Sequence, residues 1–217
     1  MTRATTLRAA ALVIGACLVA SLAACGGTED APGKKPSFDG GRPAGDTTVD
    51  SAELRAIKRA AGIEPCPDLV VRGTAPANAL PGETLPCLGG GRAIKLAATR
   101  DKPVVLNLWA SWCGPCRKEL PYIQRLHERA GDRVRVLGVD YQDNDPKAAL
   151  KLAAAAGVTY PLVADPKGKI RAPLDVVALP QTVFVDAKGS VVATERREIR
   201  SYDELARLVR KHLKVTP

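Results

Sequence analysis

Trp112-Cys113-Gly114-Pro115-Cys116 stands directly behind the apolar run Val104-Val105-Leu106-Asn107-Leu108-Trp109, and no other junction restricts the fold as strongly. A Val/Leu-rich run of this length reads as a buried strand. Behind the cysteines, Arg117 to Leu126 places apolar residues at helical spacing. The two cysteines therefore fall where a strand gives way to the first turn of a helix. There the unpaired backbone N–H groups and the helix dipole favour a thiolate. Cysteines three apart on one turn face the same side, so they can close a disulfide and reopen it. The spacing predicts a redox dithiol.

The 217 residues suffice for one domain of ordinary size with appendages. Arg3 and Arg8 form a positive n-region, and Ala9 to Ala20 is an apolar stretch too short to span a bilayer comfortably. Leu22-Ala23-Ala24-Cys25 resembles the lipobox of bacterial lipoproteins, cut before a cysteine that carries diacylglycerol. An ordinary secretory signal with an incidental cysteine is the alternative. Residues 1–24 are thus expected to be a lipoprotein signal peptide. Cys25 is then the lipidation site that holds the chain to the extracytoplasmic face of the cell membrane. Residues 26–49 are Gly, Pro, Asp, Thr and Lys with almost no large apolar side chains, so they cannot bury a core. A lipidated flexible tether is predicted over 25–62 and the globular domain over 63–217. Within the tether, Asp50-Ser51-Ala52-Glu53 resembles a capping box, and Leu54, Ile57 and Ala61 share a helical face, which allows a short helix before Gly62.

Six cysteines are present; Cys17 lies in the leader and Cys25 is the lipid site. Cys66, Cys87, Cys113 and Cys116 remain, an even number in an exported chain. Three pairings exist, and the proximity within the CxxC favours Cys113–Cys116 with Cys66–Cys87. Zinc sites of this kind come with a second CxxC or a His pair. His127 and His212 are isolated, so no metal is expected. The formal charge of +9 falls to +7 when Arg3 and Arg8 leave with the leader. Basic residues are interspersed with acids and few aromatics could stack bases, which argues against a nucleic-acid partner. A solvated surface held near a membrane fits better.

Strand and helix signals alternate through the domain. Leu85–Leu88 and Ala93–Leu96 flank Gly89-Gly90-Gly91 as two short strands around a turn. No GK[ST] follows the glycines, so they form a turn and not a phosphate loop. Next come a strand at 104–109, a helix at 115–130, a strand at 134–139, an alanine-rich helix at 146–156 and a short strand at 160–163. A weak helix is predicted near 167–174. Thr182–Val185 and Val191–Thr194 flank Asp186-Ala187-Lys188-Gly189 as a hairpin, and Ser201 opens an amphipathic helix to Leu213. This order predicts an α/β fold with a mixed sheet covered on both faces.

Trp109 to Cys116, taken with Leu179-Pro180-Gln181-Thr182, resembles the thioredoxin superfamily. Glu119-Leu120-Pro121 and the long insertion after the central strand narrow the resemblance to the TlpA/ResA-like membrane-anchored thiol–disulfide oxidoreductases, from about Leu85 to the C-terminus. The resemblance implies a thioredoxin-like fold: a central mixed β-sheet flanked by helices, with an N-terminal β-hairpin extension. It implies no cofactor beyond the redox-active Cys113–Cys116 disulfide. Cys113 is the expected nucleophile, attacking as a thiolate, and Cys116 resolves the mixed disulfide. Pro115 bends the first turn and Gly114 keeps the approach open. Pro180 matches the family's cis-proline, which presents the Leu179 backbone to an incoming polypeptide by strand-like pairing; a trans proline at a strand entry is the alternative. Trp112 is expected to cap the dithiol and Trp109 to lie in the core. Arg117, Lys118 and His127 are expected on the surface. Glu119 matches a family carboxylate that handles protons, with a plain surface glutamate as the alternative. Thioredoxin's buried strand carboxylate would fall at Asn107, which cannot titrate, and this favours Glu119 for the task.

Cys66 and Cys87 enclose about twenty residues, so their disulfide is expected to be a structural staple of roughly 3 kcal/mol. A second redox pair relaying electrons is the alternative; Pro65, Pro67 and Pro86 suit a staple. The family resemblance implies a disulfide reductase fed by a membrane thiol-electron transporter. Its expected partners are cysteine-containing exported proteins such as apocytochrome c during cytochrome c biogenesis. A disulfide-forming oxidase is the close alternative. A peroxidase is more distant, because Ala110-Ser111-Trp112 before Cys113 lacks the Thr and Pro of a peroxidatic motif, and Pro81…Thr84-Leu85-Pro86-Cys87 imitates that motif with its spacing one short.

Overall fold

The computed structural model describes residues 48–70 and 73–217. Cys25, the expected leader and the first part of the expected tether lie outside the described residues. In chain order the elements are helix α1 (Ala52–Ala60), strands β1 (Thr84–Leu85), β2 (Ile94–Lys95) and β3 (Val104–Trp109), helix α2 (Gly114–Ala130), strand β4 (Arg135–Tyr141), helix α3 (Pro146–Ala155), strands β5 (Leu162–Asp165), β6 (Gln181–Val185) and β7 (Val191–Glu195), and helix α4 (Tyr202–Leu213).

β3 is buried at every position because it is the middle of a five-stranded sheet ordered β5-β4-β3-β6-β7. It runs parallel to β4 and antiparallel to β6. Successive side chains of a strand point to opposite faces. Val105 and Trp109 accordingly join one core and Val104, Leu106 and Leu108 the other. The same alternation puts Asn107 on the Val105 face.

Both faces are covered, but by different means. Leu54 of α1, Leu120, Ile123 and Leu126 of α2, Leu150 of α3 and Leu205 and Val209 of α4 all pack into the core that holds Trp109. The opposite core is closed by the β1–β2 hairpin, through Leu85, Ile94 and the following Leu96, and by Ile170, Leu174 and Val176. After β4 the chain forms α3 and then β5, which lies parallel to β4 and supplies the edge of the sheet.

Two expectations are corrected. The packed domain begins before the predicted residue 63, since α1 belongs to it. The Ser51 hydroxyl accepts the Leu54 N–H at 3.2 Å as its N-cap, Leu54 is buried, and Ile57 packs on the same core. The helix predicted near 167–174 is a run of turns. The Asp165 carboxylate accepts the N–H groups of Lys169 and Ile170 at 2.9 and 3.0 Å, and Gly168 sits at φ 66°, so side-chain capping and a left-handed residue compete with helix there.

Candidate active site

β3 delivers the chain to the buried residues Ala110 and Ser111 at the sheet's end, and Cys113 then becomes the N-cap of α2. Its backbone is extended, at φ −83° and ψ 104°, and its sulfur accepts the Cys116 N–H at 3.3 Å. An N-cap side chain takes one of the orphan donors of a first turn, so the donor that a Cys113 thiolate needs is already aimed at it. Cys113 and Cys116 form a disulfide with their Cα atoms 5.3 Å apart. Cys113 is the more accessible sulfur-bearing residue, at 4% against 0%. Pro115 occupies the first turn, where a missing N–H costs nothing. No atom stands within 4 Å of where a Gly114 side chain would begin, which leaves the approach to the pair open.

The loop ahead of Cys113 is gripped from three sides. The Asp143 carboxylate accepts the Ser111 N–H at 2.5 Å and the Asp145 N–H at 3.0 Å. The Ser111 carbonyl accepts from the Arg117 guanidinium at 2.7 and 3.2 Å. The Trp112 indole donates to the Gln142 carbonyl at 3.3 Å. Arg117 is therefore more than a solvated helix residue, and Asp143, hidden in a stretch that reads as a polar linker, was not anticipated. Behind it, burial first and the charge of Asp143 second push the Asp140 carboxyl well above the usual carboxylate range. His127, expected at the surface, is half-buried; its Nε2 lies 2.9 Å from a Glu64 carboxylate oxygen and its ring meets Tyr160 edge-on.

Glu119 is fully buried, which removes the surface reading. One turn beyond Cys116 on α2, it faces the same side of the sheet as Asn107. Asn107 Nδ2 donates to Glu119 Oε1 at 2.7 Å, and the Ile199 N–H, just before α4, donates to Oε2 at 3.0 Å. Burial raises the Glu119 pKa to about 7, the two hydrogen bonds oppose the rise, and the charge of Glu198 adds a little to it. Asn107 Oδ1 is buried with no hydrogen-bond partner. Half a turn of that amide would present Oδ1 to a protonated Glu119, so the pair can follow the carboxyl's proton.

The Leu179–Pro180 peptide is cis. Pro180 is buried, and Leu179 packs against both cores at the entry to β6. Trp112 is 46% exposed and forms one wall of a cleft of about 980 Å³ that also takes in Ser111, Arg117, Gln142, Lys147 and Lys151. Beside the dithiol, therefore, lie an exposed indole and a cleft large enough for a peptide segment. The remaining pair, Cys66–Cys87, is also a disulfide, with Cα atoms 6.0 Å apart, and lies in the opposite core.

Residues 72–194 match the AhpC/TSA family. The chain is 38% identical over 112 residues to the thiol:disulfide interchange protein DsbE of Pseudomonas fluorescens biotype C, covering 51% of this chain and 61% of that one. It is 29% identical over 128 residues to the thiol-disulfide oxidoreductase ResA of Bacillus thuringiensis subsp. konkukian, covering 58% and 71%. It thus spans about three fifths of the DsbE relative's length. Among solved structures, MTB dsbF in its mixed oxidized and reduced forms superposes with a TM-score of 0.57 at 29% identity, over 64% of this chain and 98% of that one. The thioredoxin-like α/β fold is the one these proteins share.

Proposed function

The chain belongs to the AhpC/TSA family, and on that footing we propose that it is an extracytoplasmic thiol–disulfide oxidoreductase whose Cys113–Cys116 pair exchanges with cysteines of exported proteins. The observation that carries the reading is the arrangement at the start of α2: an N-cap sulfur already accepting a backbone N–H, with a buried carboxyl of pKa about 7 one turn behind its partner.

In the reductive direction, the Cys113 thiolate attacks one sulfur of a substrate disulfide. A Cys113–substrate bond forms, the substrate bond breaks, and the departing substrate sulfur takes a proton. Cys116 then loses its proton and attacks Cys113, expelling the second substrate sulfur and closing Cys113–Cys116. The substrate gains two electrons and the enzyme dithiol loses them. Proton transfer is most effective when the acid–base group titrates near the working pH, and Glu119 meets that condition. Leu179 at the cis-Pro180 offers main chain for strand-like docking, and Trp112 with its cleft offers the side-chain contacts.

The direction is reductase. The pair receives electrons from a membrane thiol transporter and passes them to exported proteins, apocytochrome c among them, while a lipid on Cys25 keeps the domain at the membrane. Support comes from the Gly114-Pro115 dipeptide, from Leu22-Ala23-Ala24-Cys25, and from the DsbE and ResA relatives. Equilibration of the purified protein against a glutathione or dithiol buffer tests this. A reductase has a potential near thioredoxin's, about −270 mV, and reduces insulin disulfides; a value near about −120 mV assigns the pair to disulfide formation instead.

A further inference from the structure

Among the described residues, Lys58 is the one lysine or arginine that is buried, at 6% exposure. Its ammonium is aimed at a sulfur: Nζ lies 2.9 Å from Cys87 Sγ and donates to the Gly90 carbonyl at 3.0 Å. No carboxylate among the described residues hydrogen-bonds to it. Asp50, whose charge acts on Lys58, is taken by the Arg55 guanidinium at 2.6 Å. Burial lowers the Lys58 pKa, as it does for a cation denied a counter-ion.

The main chain is shaped to admit this amine. Gly89, Gly90 and Gly91 have φ of 73°, 85° and 118°. A Cβ on Gly89 would stand 3.0 Å from Lys58 Cβ, and one on Gly91 would stand 3.5 Å from Cys87 Sγ. A disulfide sulfur is a weak hydrogen-bond acceptor, whereas a thiolate is an anion that a neighbouring lysine stabilises. The oxidised pair therefore leaves the buried cation poorly matched, and reduction supplies its counter-ion. Accessibility gives the exchange a polarity. Cys66 is the less buried residue of the pair, 8% against 1%, with its Sγ 3.3 Å from the Leu162 carbonyl; attack at Cys66 makes the departing sulfur the one Lys58 holds. A recess of about 290 Å³ is lined by Lys58, by Pro65 next to Cys66 and by Gly91 beside Cys87.

We propose that Cys66–Cys87 is a second exchange site, reduced in the folded protein by small dithiols, with Lys58 stabilising the departing Cys87 thiolate. One thiolate of the dithiol bonds to Cys66 Sγ, the Cys66–Cys87 bond breaks, and its electron pair leaves on Cys87 as a thiolate paired with the Lys58 ammonium. The second thiolate of the dithiol then closes on the first, expelling Cys66, which takes a proton. The dithiol becomes a disulfide, the protein pair gains two electrons, and the dithiol's other proton goes to solvent. Among the described residues, the charged groups around this pair are Lys58, with Asp50, Arg55 and Arg59 from α1 and its start, Glu64 two residues before Cys66, and the Asp68–Arg92 ion pair at 3.5 Å, which joins the chain after Cys66 to the chain after Gly91. Val163 of β5, bridged to Cys87, brings no charge. Neither the activity nor the direction assigned to Cys113–Cys116 enters into this.

The test is residue-resolved. The full chain is treated with dithiothreitol at pH 7, quenched with an alkylating agent, and the Cys66, Cys87, Cys113 and Cys116 peptides are quantified separately by mass spectrometry. Cys66 and Cys87 should label in the folded protein. Lys58→Met should slow that labelling about tenfold or more, Lys58→Arg should stay near wild type, and Cys113 and Cys116 should be unaffected. In a Cys66→Ser chain, the pH midpoint for Cys87 alkylation should fall below the ordinary thiol value of about 8.5, and Lys58→Met should raise it. Labelling of Cys66 and Cys87 only on unfolding, or no change on Lys58→Met, overturns the proposal. Should Lys58→Met fail to fold, the Cys87 midpoint with Lys58 in place decides alone: at or above the ordinary value, the proposal falls.

Discussion

The two disulfides occupy opposite settings. Cys113–Cys116 spans three residues at the start of α2, where its outer sulfur accepts a backbone N–H and a buried carboxyl lies one turn on. Cys66–Cys87 spans 21 residues, lies in the other core, and has a buried ammonium against its inner sulfur. The bond is the same; the neighbours of the leaving sulfur differ in charge and in what they can do with a proton. A carboxyl that titrates near 7 can release and regain a proton at neutral pH, which suits a pair that turns over. An ammonium without a carboxylate partner holds a thiolate once formed and cannot accept a proton, which suits a pair that changes state.

Four variants break or sharpen this contrast. Cys113→Ser removes the sulfur that attacks substrate, so insulin reduction should fall to background while Cys66 and Cys87 still label with dithiol. Residual turnover in that variant would mean that the second pair does the first pair's work. Replacing both Cys66 and Cys87 by Ala should lower stability to urea by roughly 3 kcal/mol in the chain-entropy view, with insulin reduction by the folded fraction unchanged.

Glu119→Gln should slow exchange by about 10²-fold, the low end for a lost acid–base group, and erase a pH step near 7. Stability gives a separate reading of the same carboxyl. Unfolded, it titrates at the ordinary 4.5; folded, at about 7. Between those values the folded state holds a proton the unfolded state has lost, so the stabilisation present below 4.5 is lost as pH rises through about 7. The glutamine variant should lack that slope in urea titrations across the window, and an unaltered slope would place the proton elsewhere. The smallest effect is expected from Ser51→Ala, which removes the N-cap of α1 at about 1 kcal/mol. Because α1 carries Lys58, slower dithiol labelling of Cys66 with that of Cys113 unchanged would localise the loss to the second pair.

What could be read ahead of the structure follows from how local each signal is. The apolar run before Cys113 and the helical spacing after it define β3 and α2 within a short window, and the Asp186–Gly189 turn defines the last hairpin in the same way. Glu119 is different. Its neighbours in sequence, Lys118 and Leu120, describe an ordinary amphipathic helix, and its burial depends on Asn107 across the core and on the Ile199 N–H, 80 residues away. Lys58 sits among Arg55 and Arg59 and reads as one charge of a solvated face; only the glycine turn folded over it puts it against Cys87. The turns at 167–174 were missed for a related reason, since the Asp165 carboxylate that caps their N–H groups lies before the stretch that looks helical.

Covalent capture by the Cys116→Ser chain is the most direct test of the division of labour between the two pairs. With no resolving thiol, a substrate attacked by Cys113 stays attached. After incubation with membranes of the native host and separation without reductant, mass spectrometry should place every trapped partner on Cys113. None should appear on Cys66 or Cys87, and none in the Cys113→Ser control. Partners attached through Cys66, or no mixed disulfide on Cys113 at all, would contradict it.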